Sequence, residues 1–240
     1  MPDWLTARPV AHRGLHDAAG NVIENTASAF RAAIDGDYAI ECDLQLSADG
    51  EAMVHHDEAL GRLTDGAGRL DAMPAAELRR VPFKATSDRM LTLGELCDLV
   101  GGRATLLIEL KSRFDGDQRL AVRVAKVLAG RRGPFAVMSF DPGPIAALKD
   151  LAPGLLRGLV AQKPGGSSDH APSARRYALQ TLSARMQFLA YRVQDLPSAL
   201  PLLARNVLGR PLLTWTVRTP AERVRAANYA DQMIFEGFRP

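Results

Sequence analysis

The feature that most constrains this 240-residue chain is a regular alternation of short aliphatic runs with longer helical patterns. Strand-like runs centre near residues 10, 42, 107, 137, 158, 189, 213 and 234. Helical periodicity falls between them, at 26–34, 93–100, 119–128, 144–151, 173–185, 196–207 and 220–228. Alternation of this kind makes a parallel sheet with helical crossovers. Eight repeats in this length predict a closed α/β barrel, the (β/α)8 TIM barrel, rather than an open doubly wound sheet. The open sheet is further disfavoured because AHRGLHDAAG, after the first strand, lacks the G-x-G-x-x-G spacing. An additional strand at 52–56 is expected across the turn Ala48-Asp49-Gly50. Asn25 is predicted to cap the first helix and Gly36 to close it. No helix follows the eighth strand, and a short helix at residues 2–6 is expected to cover the bottom of the barrel.

Composition excludes little but is consistent. Apolar residues make up 47% and charged residues 24%, with a net charge of +3. The charges are interspersed, so nothing supports a nucleic-acid partner. No run reaches the ~20 apolar residues of a membrane span, and no signal-peptide pattern opens the sequence. Cys42 and Cys97 are too few for a disulfide framework, and both read as reduced thiols. The protein is expected to be cytoplasmic. Residues 162–173 read as a loop too short to separate two domains.

Chemistry in such a barrel gathers at the C-terminal ends of the strands. His12 and Arg13 follow the first strand. Glu41 and Asp43 lie two apart in the second and so share a face, while Cys42 points to the helical layer. His56 follows the hairpin strand. Glu109 and Lys111 end the third main strand, again two apart. Buried carboxylates need a partner, and three converging ones suggest a hard divalent cation, magnesium or calcium. A salt-bridge cluster with Arg13 and Lys111 is the plain alternative. His16 and His170 read as solvated loop residues, Cys97 as helix core, and Arg131-Arg132 as complements to a helix dipole. Glu236, at the end of the last strand, is retained as a pocket candidate.

The pieces AHRG, ENTASAF, IECDLQLSADGEAMVHHD and LLIELKS stand in an order and spacing that resembles the glycerophosphodiester phosphodiesterase family, over residues 9–111 and again at LLTWTVRTP. Met138–Pro142 is a local match. The resemblance implies a single TIM-barrel domain over residues 1–240 with a short insertion at about 57–89. It implies hydrolysis of glycerophosphodiesters, in lipid metabolism, to glycerol 3-phosphate and an alcohol. One divalent ion would be held by Glu41, Asp43 and Glu109. Catalysis would be by His12 and by His56, chosen over His55 because the family's histidine directly precedes an aspartate, here Asp57. Arg13, Lys111, Glu24, Asn25 and the aromatic Trp215 would line the substrate site. Two departures stand out: Phe235-Glu236-Gly237 where the family has Thr-Asp and a nearby proline, and Ile23 where it has proline before Glu-Asn. A lysophospholipase D-like enzyme is one alternative, with Leu60, Leu70, Met73 and Leu78 lining an acyl path, although residues of this kind are more often simply core. A non-catalytic phosphoester-binding barrel is another, since fold alone never implies activity. A small-molecule phosphodiester is the expected partner, with no expectation about oligomeric state.

Overall fold

The structure, a computed structural model, describes residues 2–163, 181 and 183–240. Strand β1 (Val10–Ala11) lies parallel to both β2 (Ala39–Leu46) and β9 (Gln232–Phe235). From β2 the sheet runs through β4 (Leu106–Leu110), β5 (Phe135–Ser139), β6 (Leu156–Ala161), β7 (Phe188–Arg192) and β8 (Leu212–Val217) to β9. Eight parallel strands thus close on themselves as a TIM barrel. The extra strand β3 (Ala52–Val54) runs antiparallel along the end of β2, pairing Leu44 with Val54. Among the described residues the helices are α1 (Ala27–Asp35), α2 (Ala75–Leu78, within the segment between β3 and α3), α3 (Leu93–Val100), α4 (Arg119–Leu128), α5 (Pro142–Leu151), α6 (Ala199–Asn206) and α7 (Pro220–Tyr229).

The period of two along each strand sorts side chains into two cores. Outward-facing Ile40, Cys42, Leu44 and Ile108 pack with Phe30, Leu96 and Cys97 of the helices. Inward-facing Ala39, Leu107, Met138, Phe188, Leu213 and Ile234 fill the barrel. Gly158 of β6 is part of that fit, since a Cβ there would lie 2.3 Å from the Phe188 ring. At the bottom, a 3-10 turn over Asp3–Leu5 pushes Leu5, 1% exposed, into the inner core. It is tied down by Thr105 and Gln232, which donate to the carbonyls of Trp4 and Thr6.

Helix starts follow local chemistry. Thr92 and Glu95 form a capping box on α3, as do Thr219 and Glu222 on α7, and Asp141 caps α5 ahead of Pro142. The expected cap at Asn25 is wrong. The N-cap position is Thr26, whose hydroxyl donates instead to the Ile23 carbonyl, and the free Ser28 N–H is taken by Asp88. Asn25 has φ +57° and turns inward to a buried carboxylate, described below. The expected helix at 196–207 is shorter, because Val193–Asp195 forms a separate 3-10 turn and Ser198 is the N-cap. Most of the expected loop 162–173 and helix 173–185, together with His170, lie outside the described residues.

Between β3 and α3 the chain builds its own small core. Leu60, Leu70 and Leu78 are at most 8% exposed and pack with Ile23, Met53, Phe83 and Met90, with Met73 against them. That assigns Leu60, Leu70 and Leu78 to core rather than to an acyl path, with Met73 partly covered at its edge. No helix among the described residues is long and apolar enough to cross a membrane.

Candidate active site

Register places three carboxylates together. Asp43 and Glu109 are Cα partners across β2 and β4, and Glu41 sits one pleat below Asp43 on the same face. One oxygen from each of the three lies within 4.8 Å of the others, and all three side chains are buried. Lys111 Nζ reaches Asp43 at 2.8 Å and Glu109 at 2.6 Å. The Arg13 backbone N–H donates to Glu41 at 2.9 Å, and its Nε lies 3.2 Å from Asp43. Asn25 Nδ2 donates to the same Asp43 carboxylate at 2.9 Å.

The arrangement is possible because Arg13 (φ +57°) and Gly14 (φ +80°) turn the chain sharply after β1. A Cβ on Gly14 would meet the Ala29 backbone at 2.9 Å, so only glycine lets α1 come this close.

Electrostatics divides the three acids. Burial would raise the Asp43 pKa, but Lys111, then His56, Arg13 and His12, outweigh it and hold Asp43 well below the ordinary carboxylate range. Glu41 goes the other way. Burial first, then the charges of Asp43 and Glu109, push it well up, and Arg13 does not compensate. Its Oε1 is buried with no hydrogen-bond partner. The salt-bridge alternative is therefore only half met: Lys111 pairs with Asp43 and Glu109, and Arg13 Nε with Asp43, while Glu41 receives only the Arg13 backbone N–H and no lysine or arginine side chain among the described residues. A divalent cation with oxygen ligands fits this donor set.

Two histidines flank the triad, each backed by a carboxylate. His12 Nδ1 lies 2.8 Å from Glu236 Oε2, and its Nε2 faces the triad, 3.9 Å from Glu41. Glu236 also accepts from Arg218 at 2.8 Å. The His12 hydrogen bond, followed by the charges of His12, Arg218 and His16, holds the Glu236 pKa down at about 2, against the upward push of burial. His16 is not solvated as expected: it is 16% exposed, with Nε2 4.0 Å from Glu236, because the loop after Gly14 folds back against β9. On the other side, His56 Nδ1 lies 2.8 Å from Asp57. Burial, then Lys111, lowers the His56 pKa. His55, 2% exposed, packs beside the Phe83 ring and makes no contact with the triad that matches those of His12.

Arg62 was not anticipated. It donates to Asp57 at 2.6 Å and to Glu24 at 2.6 Å, and Glu24 accepts from Arg13 at 2.8 Å. A continuous chain thus runs His56–Asp57–Arg62–Glu24–Arg13–Asp43. Burial opposes the ionised form of Asp57, but bonds from Arg62 and His56 bring its pKa to about 2. An arginine five residues past Asp57 carries no sequence signal of its own; only the folded insertion brings it back.

These groups open into a cavity of about 430 Å³ at the C-terminal mouth of the barrel. His12, Arg13, Glu41, His56, Glu109 and Lys111 line one side. Trp215 lines the other, packed edge-to-face with Phe140 at 5.4 Å, its Nε1–H donating to the Ala190 carbonyl. Of the residues expected at the site, four are not among its lining: Glu24 and Asn25 buttress Arg13 and Asp43 from behind, Asp43 lies buried within the triad, and Glu236 backs His12.

The model of the glycerophosphoryl diester phosphodiesterase family matches residues 12–237. A glycerophosphodiester phosphodiesterase of Bacillus subtilis is 31% identical over 95% of this chain and 83% of that protein. One from Caldanaerobacter subterraneus subsp. tengcongensis is 32% identical over 64% of this chain and 66% of that protein. Among solved structures, an Oleispira antarctica phosphodiesterase in complex with the product sn-glycerol-3-phosphate superposes with a TM-score of 0.79 at 22% identity, covering 97% of this chain and 94% of that one. A glycerophosphodiester phosphodiesterase of Thermotoga maritima gives 0.72 at 24% identity, over 95% and 94%.

Proposed function

Taking as premise that this chain belongs to the glycerophosphoryl diester phosphodiesterase family, we propose that it hydrolyses glycerophosphodiesters to glycerol 3-phosphate and an alcohol. In this reading residues 1–240 act as one barrel domain, with the segment at about 57–89 as an insertion on its mouth. Glu41, Asp43 and Glu109 would hold one divalent cation, magnesium or calcium, and the buried, unpartnered Oε1 of Glu41 is the observation that carries this. Such an ion neutralises the anionic phosphodiester and stabilises the charge that builds in its transition state.

The chain's own residues supply the rest. Arg13 and Lys111 border the same side of the cavity as the triad and offer N–H donors to the phosphate oxygens. His12 donates Nδ1–H to ionised Glu236, which leaves Nε2 free toward the triad. His56 donates Nδ1–H to Asp57 in the same way. A carboxylate behind each imidazole fixes its tautomer and orientation. One Nε2 takes the proton of the attacking hydroxyl and the other, protonated, delivers one to the leaving alkoxide. In a glycerol diester the attacking hydroxyl can be the substrate's own, giving a cyclic phosphate that water then opens. The Glu24–Arg62–Asp57 chain ties the orientation of Arg13 to that of His56. Two buried, free thiols suit a reducing, cytoplasmic setting.

The test is release of glycerol 3-phosphate from glycerophosphodiesters, with EDTA and after restoring Mg²⁺ or Ca²⁺, for the wild type and for His12→Ala, His56→Ala and His55→Ala. We expect EDTA to abolish turnover, and the first two variants to lose about 10²–10⁴-fold in kcat while staying folded. His55→Ala should lose stability rather than chemistry. Full activity in His56→Ala, or in EDTA, would sink the scheme.

A further inference from the structure

The wall of the cavity opposite the carboxylate triad has a definite chemistry. Arg192 is the last residue of β7 and the Cα partner of Trp215 in β8. It shares the parity of Phe188 and Ala190, both of which point into the barrel, so its side chain stands over the barrel mouth beside the Trp215 ring. Its Nε donates to Gln194 at 3.2 Å, and among the described residues no carboxylate pairs with it. Arg218 and two neutral amides, Gln162 and Gln194, complete this rim. The carboxylates that line the cavity are Glu41 and Glu109, and both belong to the cation cluster on the opposite side. Two carboxylates touch the rim from behind and both are already engaged: Glu236 by His12 and Arg218, and Glu222 by the Gln194 amide and the Arg218 and Thr219 backbone N–H groups.

Trp215 and Arg192 line the same cavity as His12 and His56, so a phosphodiester held by the proposed catalytic groups would have this wall for its second alcohol. Recognition of a quaternary ammonium needs several aromatic faces around the cation and profits from a nearby carboxylate. Here the two rings, Phe140 and Trp215, meet at 83°, one edge on the other's face, and the charge beyond them is positive. A cationic head group would meet a like charge, and an anionic one would find an unpaired guanidinium able to clamp it bidentately.

We propose that this site selects its substrate by the charge of the leaving alcohol: it favours glycerophosphodiesters whose alcohol is anionic, accepts neutral polyols, and discriminates against cationic alcohols such as choline, with Arg192 as the specificity-determining residue. This rests on the phosphodiesterase reading above. A unit charge at about 6 Å from Arg192 in a half-wet cavity changes kcat/KM roughly five- to tenfold in each direction. The preference between the anionic and cationic extremes should therefore exceed about tenfold at low salt.

The experiment measures kcat/KM for glycerophosphoglycerophosphate, glycerophosphoglycerol and glycerophosphocholine, for the wild type, Arg192→Gln and Arg192→Lys. The wild type should rank them in that order at low ionic strength, and the spread should narrow at about 0.5 M salt. Arg192→Gln should bring the anionic-to-choline ratio down at least fivefold, and Arg192→Lys should keep most of it. The ratio is read within each variant, so a general loss of activity does not imitate the effect. Equal efficiencies, a choline preference, or a ratio untouched by Arg192→Gln would overturn this inference and leave the phosphodiesterase reading standing. Failure to cleave any of the three would overturn both.

Discussion

Replacing Glu236 with Gln isolates the ionic part of the His12–Glu236 contact, because the amide keeps the size and shape of the carboxyl. The Glu236 pKa falls from the ordinary 4.5 to about 2. At about 1.4 kcal/mol per pH unit this corresponds to about 3 kcal/mol; with 24% of the side chain exposed, solvent screening reduces it to about 1.5 kcal/mol. Depression of a carboxylate pKa in the folded state stabilises the fold above pH 4.5, and that stabilisation is lost as the pH falls from 4.5 toward 2. E236Q should accordingly be about 1.5 kcal/mol less stable than wild type at pH 7, a Tm lower by roughly 3–6 °C for a chain of this size. The difference should shrink to about a quarter of its pH 7 size by pH 2.5, and further as the pH falls through the folded-state pKa of about 2. Urea unfolding of both proteins at pH 7, 4.5 and 2.5 measures this directly. A destabilisation of equal size at all three would mean that the contact works by packing, and the ionic reasoning would be refuted. In parallel, kcat should drop about 10–100-fold with little change in KM, the usual result when the partner that orients a reacting imidazole is lost.

Adding Mg²⁺ or Ca²⁺ to EDTA-treated protein should raise Tm by mass action, about 2.7 kcal/mol of stabilisation at a hundredfold excess over Kd. Glu41→Gln should abolish the shift, and an unchanged melting curve in the wild type would count against a cation at the triad. Arg62→Ala should lower kcat by about tenfold through His56, yet reduce stability by less than about 1 kcal/mol, since the side chain is 46% exposed. Arg62→Lys should recover only part, because the bridge uses Nε toward Asp57 and Nη2 toward Glu24; loss of stability without loss of rate would make Arg62 merely structural. Gly158→Ala should destabilise by about 1–3 kcal/mol, read by urea unfolding, since its Cβ would meet the buried Phe188 ring at 2.3 Å. A neutral result would mean that the inner core yields more easily than its packing indicates.

The barrel was legible because each strand announces itself locally. Glu41, Cys42 and Asp43 are the clearest case: a period of two in an otherwise apolar run forces acid inward, thiol outward, acid inward, and the structure has that order. The same logic paired Glu109 with Lys111. Contacts carried by loops and by distant strands were not legible in that way. Asn25 has the chemistry of a helix cap, and only the buried Asp43 carboxylate, 18 positions away, makes a better partner for it. Arg62 and His16 look like surface residues until the insertion and the loop after Gly14 fold back over the mouth. Glu236 was visible only as an oddity at the end of a strand, because its partner lies at the opposite end of the sequence.

His12 and Glu236 are 224 positions apart and meet only where the first and last strands pair. A barrel that has formed six or seven strands already holds the carboxylate triad of β2 and β4, but it presents a His12 ring that nothing orients. In the proposed mechanism, ester cleavage is therefore coupled to the slowest kind of contact to form, one of the greatest sequence separation. Recovery of activity during refolding should trail recovery of helical signal and report the closing of the seam itself.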